Sequence, residues 1–182
     1  MTSTTRPTAQ GVLDLDLLRT ALAHDQFWAP YLADVDARGG GIHVAVFVEP
    51  FLRYVLDGRK TIESRFGTRR TAPYGLVETG DIVLLKASGG PIVGLCQATR
   101  VWYYRLHARA WREIRERFGP ALAVDNEETF MVARQHAAFA TLIQLANVRE
   151  IPRIPVTKRD RRGWVVLRDS TSPPMLPGLD ET

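Results

Sequence analysis

The sequence predicts an α+β protein: a small β-barrel with flanking helices and an N-terminal helical extension. Three observations lead to this fold class. Several short apolar segments alternate like strands and are separated by glycine-containing turns, which is typical of a small barrel rather than of βαβ units. Other segments carry apolar residues at helical spacing. The length of 182 residues and the apolar content of 45% suit one main domain with an extension.

The N-terminal region is predicted to lie outside the barrel. Residues 1–10 are rich in Thr and Ser, which indicates disorder. Residues 13–35 have helical spacing and form one helix, or two that are broken near Pro30. Three consecutive glycines at 39–41 then mark a flexible joint. The predicted divisions are 1–41 (disordered segment plus helical extension), 42–169 (main domain) and 170–182 (disordered tail).

The main domain is predicted to alternate short strands with a few helices. Along strand 42–48 the apolar residues occupy one face, so His43 is expected to be partly exposed on the other. Segment 140–151 fits a helix or a strand on periodicity alone. The remaining predicted strands are 61–66, 82–86, 92–103 and 164–168, and the predicted helices are 50–56 and 106–118.

The charge distribution favours an anionic partner. The net charge is +4, but residues 41–120 alone carry 13 basic and 7 acidic groups, a net +6. Of the 24 basic residues 21 are Arg, which binds phosphate and carboxylate bidentately and stacks on flat rings. A genome rich in G and C would also raise the Arg count, but it would not explain the clustering.

Several functional classes are excluded. The single cysteine, Cys96, forms no intramolecular disulfide, and the four histidines lack metal-ligand spacing. Phosphate-loop, nucleophile-elbow and dinucleotide fingerprints are absent, so we expect no metal and no cofactor. No apolar run reaches membrane-span length and no secretory signal is visible. We therefore expect a cytoplasmic protein with no membrane partner.

The most informative segment is 58–65, which places four charges between a predicted helix and a predicted strand. Alternation puts Thr61, Glu63 and Arg65 on one strand face, and the flexible stem of Lys60 reaches the same side. A carboxylate held between Lys and Arg stays ionised. Such a cluster can orient a base edge, grip a phosphate or activate a nucleophile. A purely structural ion network between strands is the alternative.

Two further groups of basic residues are candidates for binding an anionic ligand. One group shares a helix face close to the aromatic residues 102–104, a composition that suits single-stranded nucleic acid. The other belongs to the basic turn 158–162 before the final strand. Both could equally be solvated surface. The candidates are Arg105, Arg109, Arg112, Arg161 and Arg162.

The pattern Gly58-x-Lys60-x-x-Glu63-x-Arg65 resembles the G-x-K-x-x-E-x-R signature of the ASCH domain family, whose fold is a PUA-like small β-barrel. The final segment 162–167 also resembles the last strand of PUA-like domains. The resemblance covers roughly residues 42–169. It implies that segment 140–151 is a strand, and that a cleft lined by the signature Lys, Glu and Arg binds RNA or nucleotides.

Two enzymatic activities in the family are relevant. Hydrolysis of the amide of acetylated cytidine uses a Lys and a Thr three residues later; here Lys60 matches, but Glu63 stands where that Thr would be, and Thr61 does not align. RNA cleavage needs an acid–base pair, for which Lys60 and Glu63 are the candidates, with Tyr54 or Tyr74 nearby. The missing Thr counts against the first activity.

Three functions remain open at this stage. The first is a binding module for RNA, a nucleotide or a modified nucleoside, in which Arg65 and the Arg105 face contact phosphate or a base edge, Lys60 supplies a point charge and Glu63 accepts from a base amino group. The second is a hydrolase acting on RNA or an N-acylated nucleoside, with Lys60 and Glu63 catalytic. The third is binding of a small anionic metabolite. The sequence does not determine the base, the catalytic status or the oligomeric state.

Overall fold

The computed structural model describes residues 13, 15–124, 127–156 and 162–170. Within these residues the chain forms five helices and six strands. In chain order they are α1 (Leu15–Ala21), α2 (Trp28–Ala37), β1 (Ile42–Phe47), α3 (Phe51–Leu56), β2 (Ile62–Gly67), β3 (Ile82–Ala87), β4 (Ile92–Arg105), α4 (Ala108–Leu122), α5 (Glu127–Val132), β5 (Phe139–Ile154) and β6 (Trp164–Arg168).

The strands form one mixed sheet in the order β2-β5-β4-β3-β1-β6. The β1–β3 pair is parallel and the other neighbouring pairs are antiparallel. The two longest strands, β4 and β5, pair along most of their length with three interruptions of register, and such irregularities bend strands. The sheet curls into a half-barrel that leaves β2 and β6 as its two edges. The predicted α+β class, with a small barrel and flanking helices, is confirmed.

Both faces of the central strands are buried, because helices cover each of them. One face of β1 and β3 packs against α1 and α2, and the other packs against α3 and the inside of the half-barrel. This explains the nearly continuous apolar run of β3, which a one-sided strand would not need. The first face includes Ile42, Val44, Ile82 and Leu84, and the second includes Ala45, Phe47, Val83 and Leu85.

The expectation that His43 would be partly exposed is wrong: its side chain is wholly buried. The prediction assumed that one face of β1 met solvent. Its Nε2 lies 2.9 Å from Oδ2 of Asp81, which is also buried, and the indole N–H of Trp164 donates to Nδ1. Since an indole nitrogen can only donate, Nδ1 is the acceptor and Nε2 carries the proton that is donated to Asp81.

The N-terminal helical segment consists of two helices, as one of the two sequence interpretations had it. The break falls at residues 22–27 rather than at Pro30, which the first turn of α2 accommodates. The Asp25 carboxylate accepts the backbone N–H groups of Phe27 and Trp28 and so starts the second helix. Trp28 is buried in the core that α1 and α2 share with the sheet.

Segment 140–151 is a strand, as the family resemblance implied, because it lies within β5. The remaining predicted strands and helices are confirmed with small shifts at their ends. The domain division at 41/42 and 169/170 stays a prediction, and residues 1–10 and 171–182 lie outside the described part of the chain. In that described part no helix has the length and apolar character needed to span a membrane.

Candidate functional site

A cleft of about 420 Å³ opens where edge strand β2 faces the end of β1, beneath α3 and the turn that follows α5. The curl of the sheet brings these elements together, since β1 and β2 are separated by three strands in the sheet order. Its walls are both aromatic and charged. They comprise Val46, Phe47, Val48, Phe51, Lys60, Glu63, Ser64, Arg65, Phe66, Phe130, Ala133 and Arg134.

Lys60 is buried at the base of the cleft, just before β2. Its Nζ donates to the backbone carbonyls of Ile62 (2.8 Å) and Leu122 (3.1 Å) and lies 3.4 Å from a carboxylate oxygen of Glu63. An ammonium group has three N–H donors, so these three acceptors account for all of them. Burial lowers the pKa of Lys60, and the neighbouring Glu63 carboxylate opposes this effect.

Glu63 is held between two cations, as the sequence predicted from the spacing of the signature. One carboxylate oxygen faces the ammonium of Lys60, and the other lies 2.7 Å from Nε of Arg65. Although Glu63 is only 5% exposed, it lines the cleft. Each carboxylate oxygen has a second lone pair, so the group can still accept a hydrogen bond from a ligand.

Arg65 bridges the open side of the half-barrel. From β2 its Nη1 donates to the carbonyl of Gly163 (3.0 Å) and its Nη2 to the carbonyl of Val46 (2.9 Å), which belong to the opposite edge region of the sheet. Its Nε meets Glu63 as an ion pair without the angle of a hydrogen bond. The guanidinium also lies 5.3 Å from the Phe47 ring centroid. Arg65 therefore shapes the cleft as well as lining it.

Arg134 supplies a third cation, from the turn that follows α5. Its guanidinium lies 3.7 Å from the centroid of the Phe130 ring, and its Nη1 donates to the Phe130 carbonyl at 2.9 Å. The Phe66 ring, 5.6 Å from the same guanidinium, is stacked on Trp111 with an interplanar angle of 4°. Sequence reasoning missed Arg134, because no motif surrounds it and only the fold of the α5 turn brings it to β2.

The cleft therefore joins three cations to one carboxylate, with four phenylalanine rings in its walls. All three positive groups line the one cleft, and the rings offer flat apolar surface. Among the described residues no cluster of three or more His, Cys, Asp or Glu side chains is placed to hold a metal ion.

Comparison with known proteins supports the fold through structure alone. No protein-family model matches the sequence, and no curated protein matches it significantly. The crystal structure of ASCH from Zymomonas mobilis superposes with a TM-score of 0.51 at 17% identity, covering 62% of this chain and 72% of that protein. A serine-to-alanine mutant of the same protein gives a TM-score of 0.51 at 18% identity, covering 64% and 74%. The chain has the ASCH fold.

Within this ASCH fold the other predicted site residues lie apart from the cleft. Thr61 is exposed, and its backbone N–H donates to the Ala121 carbonyl. Arg162 is exposed and directly precedes Gly163, whose carbonyl Arg65 binds. Arg161 lies outside the described residues. The group Arg105, Arg109 and Arg112 is exposed at the end of β4 and on α4, and none of the three lines the cleft.

The α4 face is also less basic than its arginines alone suggested. Arg109 and Arg112 share a surface depression with Arg117 and with two acidic residues, Glu113 and Glu116. The opposite side of α4 is the apolar stripe that packs on the ASCH sheet. The structure thus brings the signature residues together and leaves the helix arginines on a surface of mixed charge.

Proposed function

We propose that the protein binds RNA, a nucleotide or a modified nucleoside in the cleft beside Lys60, Glu63 and Arg65. The observation that carries this proposal is the composition of the cleft: three cations, one buried carboxylate and phenylalanine rings around about 420 Å³. Cations suit phosphate, rings suit stacking on bases, and a fixed carboxylate suits a base amino group.

The proposed roles of these residues differ according to how many of their hydrogen-bond donors are already used within the protein. Lys60 acts by positioning, because its three donors already hold two carbonyls and Glu63. Glu63 is thereby held in place, ready to accept a hydrogen bond from an exocyclic amino group. Arg65 and Arg134 face the ligand with the donors that their protein contacts leave free. This assignment replaces the expectation that Lys60 itself contacts the ligand as a point charge.

A hydrolase is the second candidate, and one observation favours it. Lys60 is buried beside a carboxylate and its pKa is lowered by that burial. Such a pair can exchange a proton with a ligand, which is the requirement for acid–base hydrolysis of RNA or of an N-acylated nucleoside. Binding is preferred because the Lys60 ammonium points at backbone carbonyls and at Glu63.

The first experiment titrates a labelled single-stranded RNA with the protein at low and at physiological salt and then runs each mixture on a denaturing gel. Binding through phosphate predicts affinity that falls steeply with salt, with intact RNA. Arg134→Ala should weaken binding by about tenfold, on the order of one lost charge-assisted hydrogen bond. The matched control is Arg153→Ala, which removes an exposed arginine far along β5.

The outcomes separate the candidates. RNA that the wild type cuts and that the Glu63→Gln variant leaves intact would establish the hydrolase. Saturable binding whose affinity does not depend on the length of the RNA would point to a small anionic metabolite. Equal affinities for the wild type, Arg134→Ala and Arg153→Ala would show that the cleft is not the site. Combined alanine substitution of Arg105, Arg109 and Arg112 tests the α4 face separately, and unaltered affinity would make that face ordinary surface.

A further inference from the structure

A second, smaller pocket adjoins the cleft on the far side of Arg65 and Phe66, which line both. The loop that follows β2 forms one wall, and two residues of β5 form the other. Among the described residues that line it are Arg65, Arg69, Tyr74, Phe139 and Thr141. Because Arg65 and Phe66 line both spaces, the small pocket lies next to the cleft.

The size of the small pocket restricts what can enter it. Its volume is about 30 Å³, against about 420 Å³ for the cleft. A site needs roughly 10–15 Å³ on this measure to hold one water molecule, so the pocket has room for about two oxygen-sized groups. A nucleobase does not fit, whereas two of the oxygens of a phosphate group do.

The charge of the small pocket favours an anion. Arg65 and Arg69 line it, and none of the described residues that line it is acidic. Arg70 stands beside it, with its guanidinium 5.2 Å from the Phe139 ring centroid and 5.8 Å from that of Tyr74. Thr141, which is almost wholly buried opposite Arg65 in the β2–β5 register, adds a hydroxyl-bearing side chain to the wall. Arginine donors with a nearby hydroxyl form a common environment for phosphate.

The pocket is held in shape before any ligand arrives. The Tyr74 ring packs against the rings of Tyr103 (5.2 Å) and Phe139 (5.3 Å), and the Tyr103 hydroxyl donates to the Val77 carbonyl. The loop itself is tied by a hydrogen bond from the Thr71 N–H to the Arg69 carbonyl. A preformed site loses less conformational entropy on binding.

We propose that this small pocket is a phosphate subsite for the nucleotide whose base occupies the cleft. The inference rests on the proposed function and narrows it: the ligand is a phosphorylated nucleotide or an RNA strand rather than a bare nucleoside. Arg69 and Arg70 contact the phosphate, beside the Arg65 guanidinium that lines the same pocket. An RNA strand leaves the cleft across β2, along the loop 68–74.

The experiment measures affinities by calorimetry for four kinds of ligand. These are the common ribonucleosides, their 3′- and 5′-monophosphates, an RNA hexamer and inorganic phosphate. The proteins are the wild type, Arg69→Ala/Arg70→Ala, and the matched control Arg100→Ala/Arg153→Ala, which removes two exposed arginines that line neither pocket. The wild type should bind at least one monophosphate series about tenfold more tightly than the nucleosides. The Arg69/Arg70 variant should lose that gain, and the control should keep it.

The results discriminate between the two proposals. Preference of the hexamer over both monophosphate series, lost in the Arg69/Arg70 variant, would identify an internal phosphodiester as the group bound. Equal binding of nucleosides and monophosphates would overturn the phosphate subsite and leave the cleft proposal intact. Equal loss in the Arg100/Arg153 control would also overturn it, because the gain would then come from overall charge. Failure of every nucleoside, nucleotide and RNA to bind would overturn the proposed function itself, and the subsite with it.

Discussion

Replacing Gly163 with alanine should loosen the bridge that Arg65 makes across the open side of the half-barrel. A Cβ atom on Gly163 would lie 2.8 Å from Nη1 of Arg65, closer than real Cβ contacts allow. That same Nη1 donates to the Gly163 carbonyl at 3.0 Å, so the guanidinium must retreat from the acceptor to make room. The effect is purely steric, since Gly163 does not occupy the left-handed region of backbone conformation.

The magnitude follows from the single hydrogen bond that is lost. A hydrogen bond to a charged group contributes about 1.5–3 kcal/mol. Alanine also restricts the unfolded chain, which returns about 0.4–1 kcal/mol to the folded state. The Nη2 bond to the Val46 carbonyl lies on the other branch of the guanidinium and limits further loss. Gly163→Ala should therefore lower the free energy of unfolding by about 1–2 kcal/mol.

Urea unfolding at neutral pH measures this change, and a double-mutant cycle assigns it. In an Arg65→Met background there is no guanidinium to displace, so adding Gly163→Ala should be neutral or slightly stabilising. The reasoning is refuted if Gly163→Ala costs as much in the Arg65→Met background as in the wild type.

Two further predictions concern groups with shifted pKa values. Although burial opposes ionisation of Asp81, hydrogen bonds from His43, the Glu78 backbone and Ser170 hold its pKa below the ordinary 3.8. The carboxylate therefore stabilises the fold above about pH 4, and that stability is lost as the pH falls through the lower folded pKa. In the Asp81→Asn variant the free energy of unfolding should fall less steeply below pH 4 than in the wild type. An equally steep fall in both proteins would contradict this. Burial also raises the pKa of Tyr103 and of Tyr104 to about 12. The absorbance at 295 nm should show a late titration step that Tyr103→Phe and Tyr104→Phe each reduce, and a single step near pH 10 would argue against it.

The sequence predicted most elements of the fold because each carries a local signal. The alternation in β1, the glycine turns before β3 and β4 and the helical spacing of α4 act over a few residues. Segment 140–151 is different: its apolar pattern fits either period, and only the family resemblance indicated a strand. The position of the break between α1 and α2 was missed because Asp25, rather than Pro30, ends the interruption.

The site was predictable only where neighbours in sequence are also neighbours in space. Glu63 meets Lys60 and Arg65 because the three lie within six residues, on and beside one strand. Arg134 lies about seventy residues away in the chain, and nothing in its local sequence indicates that α5 will fold over β2. His43 was misplaced for a related reason, since local alternation cannot reveal that α3 and the curl of the half-barrel bury the second face of β1.

The hydrogen bonds that the signature residues make within the protein imply that some residues build the cleft and others recognise the ligand. Lys60 gives its ammonium protons to two carbonyls and Glu63, and Arg65 gives two donors to the facing edge of the sheet. Removing either should disturb the fold before it reports on binding. Under the proposed function, ligand preference then comes from Glu63 together with groups outside the signature, namely Arg134 in the cleft and Arg69 in the adjoining pocket. Proteins that share the signature can therefore build the same cleft and still bind different ligands.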